Sequence, residues 1–194
     1  ELTNEYTKRK ADIDLKKITI NGTPVEGAEF DLYRGKDGVT PFETDDTFEN
    51  GTGKRHVTVN ESYTAQNAGG SDVTLNNKAT LSGLTAGIYK LQETKAPTGC
   101  SLLTRPIYFK LAFESTTDSS GCVKVVVKIC DENGDDYNDP YAEVESNGQT
   151  GSADSDTIKT TIALKIKNGL LYSLPSQGGK GIFSFMAAGL AIML

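Results

Sequence analysis

Three polar side chains stand where strand alternation calls for apolar ones. In ADIDLKKITI (11–20), Ile13, Leu15 and Lys17 share one face. In GIYKLQETK (87–95), Tyr89, Leu91 and Glu93 do the same, and in TIKTTIALKIKN (157–168) Ile162, Leu164, Ile166 and Asn168 line up. An amine or acid aimed into an apolar interior is costly unless it is paired or neutral. Each has an ordinary explanation taken singly. Lys17 could snorkel to the surface, Glu93 could sit past its strand end beside Lys95, and Asn168 could be a turn residue before Gly169.

Taken together, the three have a chemistry. A neutral amine is a nucleophile. A carboxamide is an electrophile that can lose ammonia. An uncharged acid can donate a hydrogen bond to the amide oxygen and then shuttle protons. If the first and last strands are neighbours in one sheet, Lys17 meets Asn168. Glu93 is then the catalytic acid, and the product is a Lys–Asn isopeptide bond. The reaction happens once per molecule, so it is maturation and not enzymatic turnover. The bond would span 168 − 17 = 151 positions. By the loop-entropy model used for disulfides, such a closure is worth about 5 kcal/mol against unfolding. It would also keep the terminal strands from peeling apart under load.

The elements that must hold these residues are strands. AEFDLYR (28–34) places Ala28, Phe30 and Leu32 on one face, after the turn cluster NGTPVEG. Residues 34–78 form a long polar insert with HVTVNESYTA as a strand candidate; a structureless loop of that length is unexpected in a compact domain. A strand near 78–82 turns through GLTAG into the strand at 87–93. RPIYFKLAFE and CVKVVVKIC form a second hairpin. DENGDDYNDP reads as a loop, YAEVE as a short strand and SNGQTGSADSD as a loop before the last strand, where Ala163, Lys165 and Lys167 face outward. Short strands with turn signals and little helical periodicity predict an all-β, antiparallel sandwich.

The 194 residues allow one large β domain or two small ones. Twenty basic against 26 acidic residues leave a net charge of −6, which argues against a nucleic-acid partner. Three cysteines are too few for a disulfide framework. Residues 1–9 read as a linker from an upstream region, 10–172 as the sandwich domain and 173–194 as a separate tail. That tail ends in the apolar run from Ile182 to Leu194, short of the roughly 20 residues that span a bilayer. Both ends read as cut from a longer precursor.

VEGAEFDLY followed by GLTAGIYKLQETKAPTG resembles the Cna protein B-type domain of Gram-positive surface proteins and pilins. The matching positions are Leu15 and Lys17, then Gly27 to Tyr33, then the E-box residues Tyr89, Leu91, Glu93, Thr94, Ala96, Pro97 and Gly99. The resemblance implies a prealbumin-like (Ig-like) sandwich locked by an isopeptide bond, with Lys17 and Asn168 as partners and Glu93 as the catalytic acid. Lys16 is the alternative nucleophile if the register slips by one. Cys100 stands where the family usually has Tyr, which frees it to pair. Folding the second hairpin back brings Cys130 towards it, so the expectation is either a Cys100–Cys130 bridge or three unpaired thiols.

The tail YSLPSQGGKGIFSFMAAGLAIML resembles a sortase cell-wall sorting signal. Its motif is Leu174, Pro175, Ser176, Gln177 and Gly178. Gln177 stands where Thr is usual, at the residue whose carbonyl a sortase attacks, which points to a sortase of altered preference. The resemblance implies a secreted, wall-anchored surface protein of a Gram-positive bacterium: a pilin subunit of the fimbrium, or else the stalk domain of a modular adhesin. The implied partners are a sortase, other pilin subunits or peptidoglycan, and a host or matrix ligand bound upstream. The membrane is met only transiently, through the tail.

Other candidates are weaker. DENGDDYND holds Asp131, Asn133, Asp135 and Asp136, but Asp136 and Ala142 stand where a calcium loop wants Gly and Glu. No metal or other cofactor is expected. His56 is the only histidine, and no Gly-x-Ser-x-Gly elbow accompanies it.

Overall fold

The computed structural model describes residues 9–34, 54–115, 122–146, 149–152 and 157–171. The predicted tail and its motif, Leu174 to Gly178, lie outside the described residues, as does most of the first half of the insert. Among the described residues eleven strands are formed: β1 (Lys10–Thr19), β2 (Ala28–Arg34), β3 (Arg55–Val59), β4 (Glu61–Gln66), β5 (Asp72–Leu84), β6 (Gly87–Lys95), β7 (Ile107–Ser115), β8 (Cys122–Cys130), β9 (Ala142–Glu145), β10 (Gln149–Ser152) and β11 (Thr157–Asn168). One sheet has the order β4-β5-β1-β11-β9, and the other β10-β8-β7-β6-β2-β3. The described residues form a sandwich of two β-sheets.

Alternation explains the core. In β1, Ala11, Ile13, Leu15, Lys17 and Thr19 are buried while the residues between them are half-covered. Phe30 and Leu32 of β2, Tyr89 and Leu91 of β6, and Ile162, Leu164 and Ile166 of β11 meet them from both sheets. Tyr89 stacks on Phe109 with ring centroids 5.2 Å apart. Its hydroxyl donates to the Thr85 carbonyl at 2.8 Å, so its polar end is satisfied.

Several elements differ from the sequence expectation. The first and last strands are neighbours, but β1 and β11 run parallel, in an otherwise antiparallel architecture. HVTVNESYTA is two strands: β3 pairs with β2 in one sheet, and after Asn60 the chain crosses so that β4 pairs with β5 in the other. β5 begins at Asp72, well before the expected 78. Residues 149–152, expected in a loop, form β10 on the edge beside β8. Ala163 points outward as expected yet is fully covered, because it lies between Asp14 of β1 and Glu145 of β9. The longer Lys165 and Lys167 on the same face reach out to Glu145 (2.9 Å) and Glu143 (2.5 Å).

Candidate functional site

The parallel pairing sets Thr19 opposite Asn168 and Lys17 opposite Ile166. Lys17 and Asn168 are therefore diagonal neighbours on the same inward face, a separation that a long side chain can bridge. The Lys17 Nζ contacts the Asn168 Oδ1. Both residues are fully buried, at 0% exposure.

Glu93 comes from the facing sheet, near the end of β6, and is 2% exposed. Its Oε1 lies 3.2 Å from the Lys17 Nζ. The Asn168 Nδ2 donates to Oε1 at 3.0 Å and to Oε2 at 2.9 Å. The Leu103 backbone N–H donates to Oε2 at 2.8 Å. One oxygen thus touches both the amine and the amide nitrogen. This differs from the sequence expectation, in which the acid faces the amide oxygen: that oxygen is turned to Lys17, and the acid meets the nitrogen that would leave.

The turn after β6 completes the site. The Cys100 N–H donates to the Pro97 carbonyl at 3.0 Å, with Gly99 at φ +80°, a conformation that suits glycine. That turn delivers the Ser101 carbonyl to the Asn168 Nδ2, which donates to it at 2.8 Å. The Pro-x-Gly of the E-box therefore builds one wall of the site. Phe30 forms the floor, with the Lys17 Nζ 5.4 Å from its ring centroid.

Burial pushes the Lys17 amine down to about 8, while the charge and hydrogen bond of Glu93 pull it back up. An amine at that value is unprotonated far more often than an exposed lysine. Moving one proton from Nζ to Glu93 turns an ion pair into a neutral amine beside a neutral acid. The total charge of the buried pair is zero in either form, which makes both tolerable in the interior.

Lys16, the alternative nucleophile, points outward. Its Nζ donates to Glu145 Oε2 at 3.1 Å and lies 5.3 Å over the Tyr63 ring, away from Asn168. The Cys100–Cys130 bridge is corrected: both are buried free thiols. Cys100 pairs across to Leu170 beyond β11, while Cys130 ends β8 beside Tyr108 and Asp136, so their backbones belong to different neighbourhoods. Burial pushes both thiols up, Cys130 to about 11. In the acidic loop, the Asp131 carboxylate accepts the Asn133 and Asp135 N–H groups at 2.9 Å each, and Asp136 lies 2.5 Å from Lys110 and 2.9 Å from Lys128. Among the described residues, no cluster of His, Cys, Asp or Glu is arranged to hold a metal.

Sequence reasoning missed Asn77 on β5, 2% exposed and on the same inward face as Ala79 and Leu81. Alternation running back from Leu81 reaches it, but only once the strand is known to begin before 78.

Residues 11–124, more than half of the chain, match the SpaA prealbumin-like fold domain. The chain belongs to that family. A comparison of the sequence with curated proteins gave no match. Among solved structures, this SpaA-type chain is similar to the C-terminal fragment of the pilus adhesin SpaC from Lactobacillus rhamnosus GG, at 18% identity, 87% coverage of this chain, 48% of that one and a TM-score of 0.43. It is also similar to BcpA, the major pilin subunit of Bacillus cereus, at 18% identity, 82% and 29% coverage and a TM-score of 0.38. GBS52, the minor pilin of Streptococcus agalactiae, aligns at 15% identity, 88% and 50% coverage and a TM-score of 0.38. The SpaA-type chain spans about half or less of the length of these proteins.

Proposed function

We propose that this chain is a structural subunit of a Gram-positive surface fibre, a pilin, whose domain closes itself with a Lys17–Asn168 isopeptide bond. The observation that carries the reading is the shared Glu93 oxygen, 3.2 Å from the amine and 3.0 Å from the amide nitrogen. Glu93 takes a proton from the Lys17 amine. The Nζ attacks the Asn168 carbonyl carbon, forming the C–N bond. The amine's second proton is lost to Glu93 as the first is delivered to the Asn168 nitrogen, which departs as ammonia. Amine plus carboxamide gives substituted amide plus ammonia, with no net change in charge and no cofactor. Placing the residues beforehand supplies the rate, since the reaction becomes unimolecular.

In this reading the product carries tension and resists proteolysis. The chain is joined at Leu174–Gly178 by a sortase to another subunit or to peptidoglycan, and is displayed at the cell surface. Intact mass tests the bond directly. The protein is expected to be lighter than its sequence by one ammonia, and Lys17→Ala, Glu93→Ala and Asn168→Ala variants are expected at full mass. A full-mass parent protein rejects the bond.

A further inference from the structure

Beside Lys17 the sheet comes apart. The antiparallel ladder of β1 and β5 ends at Lys16 opposite Lys78. β5 goes on pairing with β4 on its other side, as Tyr63 opposite Leu75 shows. A cleft of about 400 Å³ opens there, between Thr74 and Leu75 of β5, Pro24 and Val25 of the β1–β2 turn, and Pro97 and Thr98. Two residues of its lining, Val25 and Asn77, bond to the Lys17 carbonyl. That carbonyl accepts the Val25 N–H at 3.1 Å and, more closely, the Asn77 side-chain Nδ2 at 2.7 Å.

Asn77 is a poor choice for stability. Its Oδ1 is buried and has no hydrogen-bond partner. A buried acceptor without a donor costs roughly what one good hydrogen bond returns. An apolar side chain of similar volume on this inward face would avoid that cost. What the amide supplies instead is geometry, for it ties β1 to β5 at the residue where the backbone ladder fails.

We propose that Asn77 is a positioning residue for the crosslink: it fixes the Lys17 backbone where the amine reaches Asn168. The proposal rests on the crosslinking reading above. Without this tie, the Lys17 end of β1 is held on one side by β11 and on the other only by its own turn. A shift of about an ångström in the nucleophile is enough to slow such a reaction by up to a hundredfold. The fold has little need of the tie, because the core of β1 from Ala11 to Leu15 stays paired with β5.

The test follows ammonia loss by intact mass in the full chain, purified unfolded, refolded in mild acid and moved to a series of pH values around 8. Parent and Asn77→Leu proteins are compared, and melting temperatures are measured in a Glu93→Ala background that cannot react. Asn77→Leu is expected to react roughly ten- to a hundredfold more slowly. The midpoint of its pH–rate profile should be unmoved and its melting temperature equal or higher. Equal rates overturn the proposal. So does a slower reaction that tracks a lower melting temperature, because Asn77 would then serve the fold alone. A parent protein that never loses ammonia overturns both this role and the crosslink, and is told apart by needing no variant.

Discussion

Thr19 sits directly opposite Asn168 across a parallel pair of strands, and this places Lys17, not Lys16, on the diagonal to the amide. The neighbouring lysine has its own partner in Glu145 on the outer face. Lys16→Ala is therefore expected to leave the loss of one ammonia complete, whereas Lys17→Arg abolishes it, because a guanidinium stays protonated and is not a nucleophile. Mass spectrometry of the two purified variants decides. Loss of the reaction in Lys16→Ala would move the nucleophile by one register.

The reaction is expected to follow the Lys17 amine. In the folded, unreacted protein the amine gives up its proton near 8, because burial outweighs the pull of Glu93. Initial rates after a pH jump should fall as pH rises through about 8, where the buried pair loses to solvent the proton that Glu93 passes to the leaving nitrogen. The same shift sets a stability trend before the bond forms. An unfolded lysine holds its proton to about 10.4. Between these values the unfolded state binds the extra proton, so stability rises with pH, and below about 8 the cost of burying the amine is felt in full. Urea midpoints taken on freshly refolded protein check the sign, and a midpoint that falls across that range would contradict it.

Closing a loop across 151 positions is expected to add about 5 kcal/mol to stability. Glu93→Gln keeps the size of the side chain but cannot take a proton. It is expected to fold, to stay at full mass and to unfold at lower denaturant than the parent by about that amount. Equilibrium denaturation of both proteins gives the comparison.

Cys100 and Cys130 are buried thiols that burial makes less acidic. Slow alkylation is expected in the native protein, and full alkylation of both in denaturant without any reductant. Peptide mapping checks this. A peptide pair joined through these cysteines in the absence of reductant would contradict it.

Much of the site was legible because strand alternation is a strict rule, and Lys17, Glu93 and Asn168 break its chemistry without breaking its spacing. The neighbouring of β1 and β11 was also within reach, though their parallel sense was not: alternation says which face a residue takes, not which way the partner runs. Asn77 was hidden because the polar run before Lys78 reads as loop; its strand is held by pairing with β4, a tertiary cause. β10 was hidden for the same reason, since QTGS has little strand preference and lies along β8 as an edge. The orientation of the Asn168 amide depends on where Leu103 N–H and the Ser101 carbonyl fall, and these are set by the turn at Gly99.

The two strands that would bear the proposed crosslink are also the first and last strands of the described residues: β1 begins at Lys10 and β11, running the same way, ends at Asn168. With the bond closed, the covalent route from one end to the other is residues 10 to 17 and then a single step across. Residues 18 to 167 become a side loop. A peptide bond could be cut anywhere in that loop, or its strands could melt, and the two ends would stay joined at the same contour length. A fibre assembled from such units would neither stretch when one of them unfolds nor break when one of them is nicked.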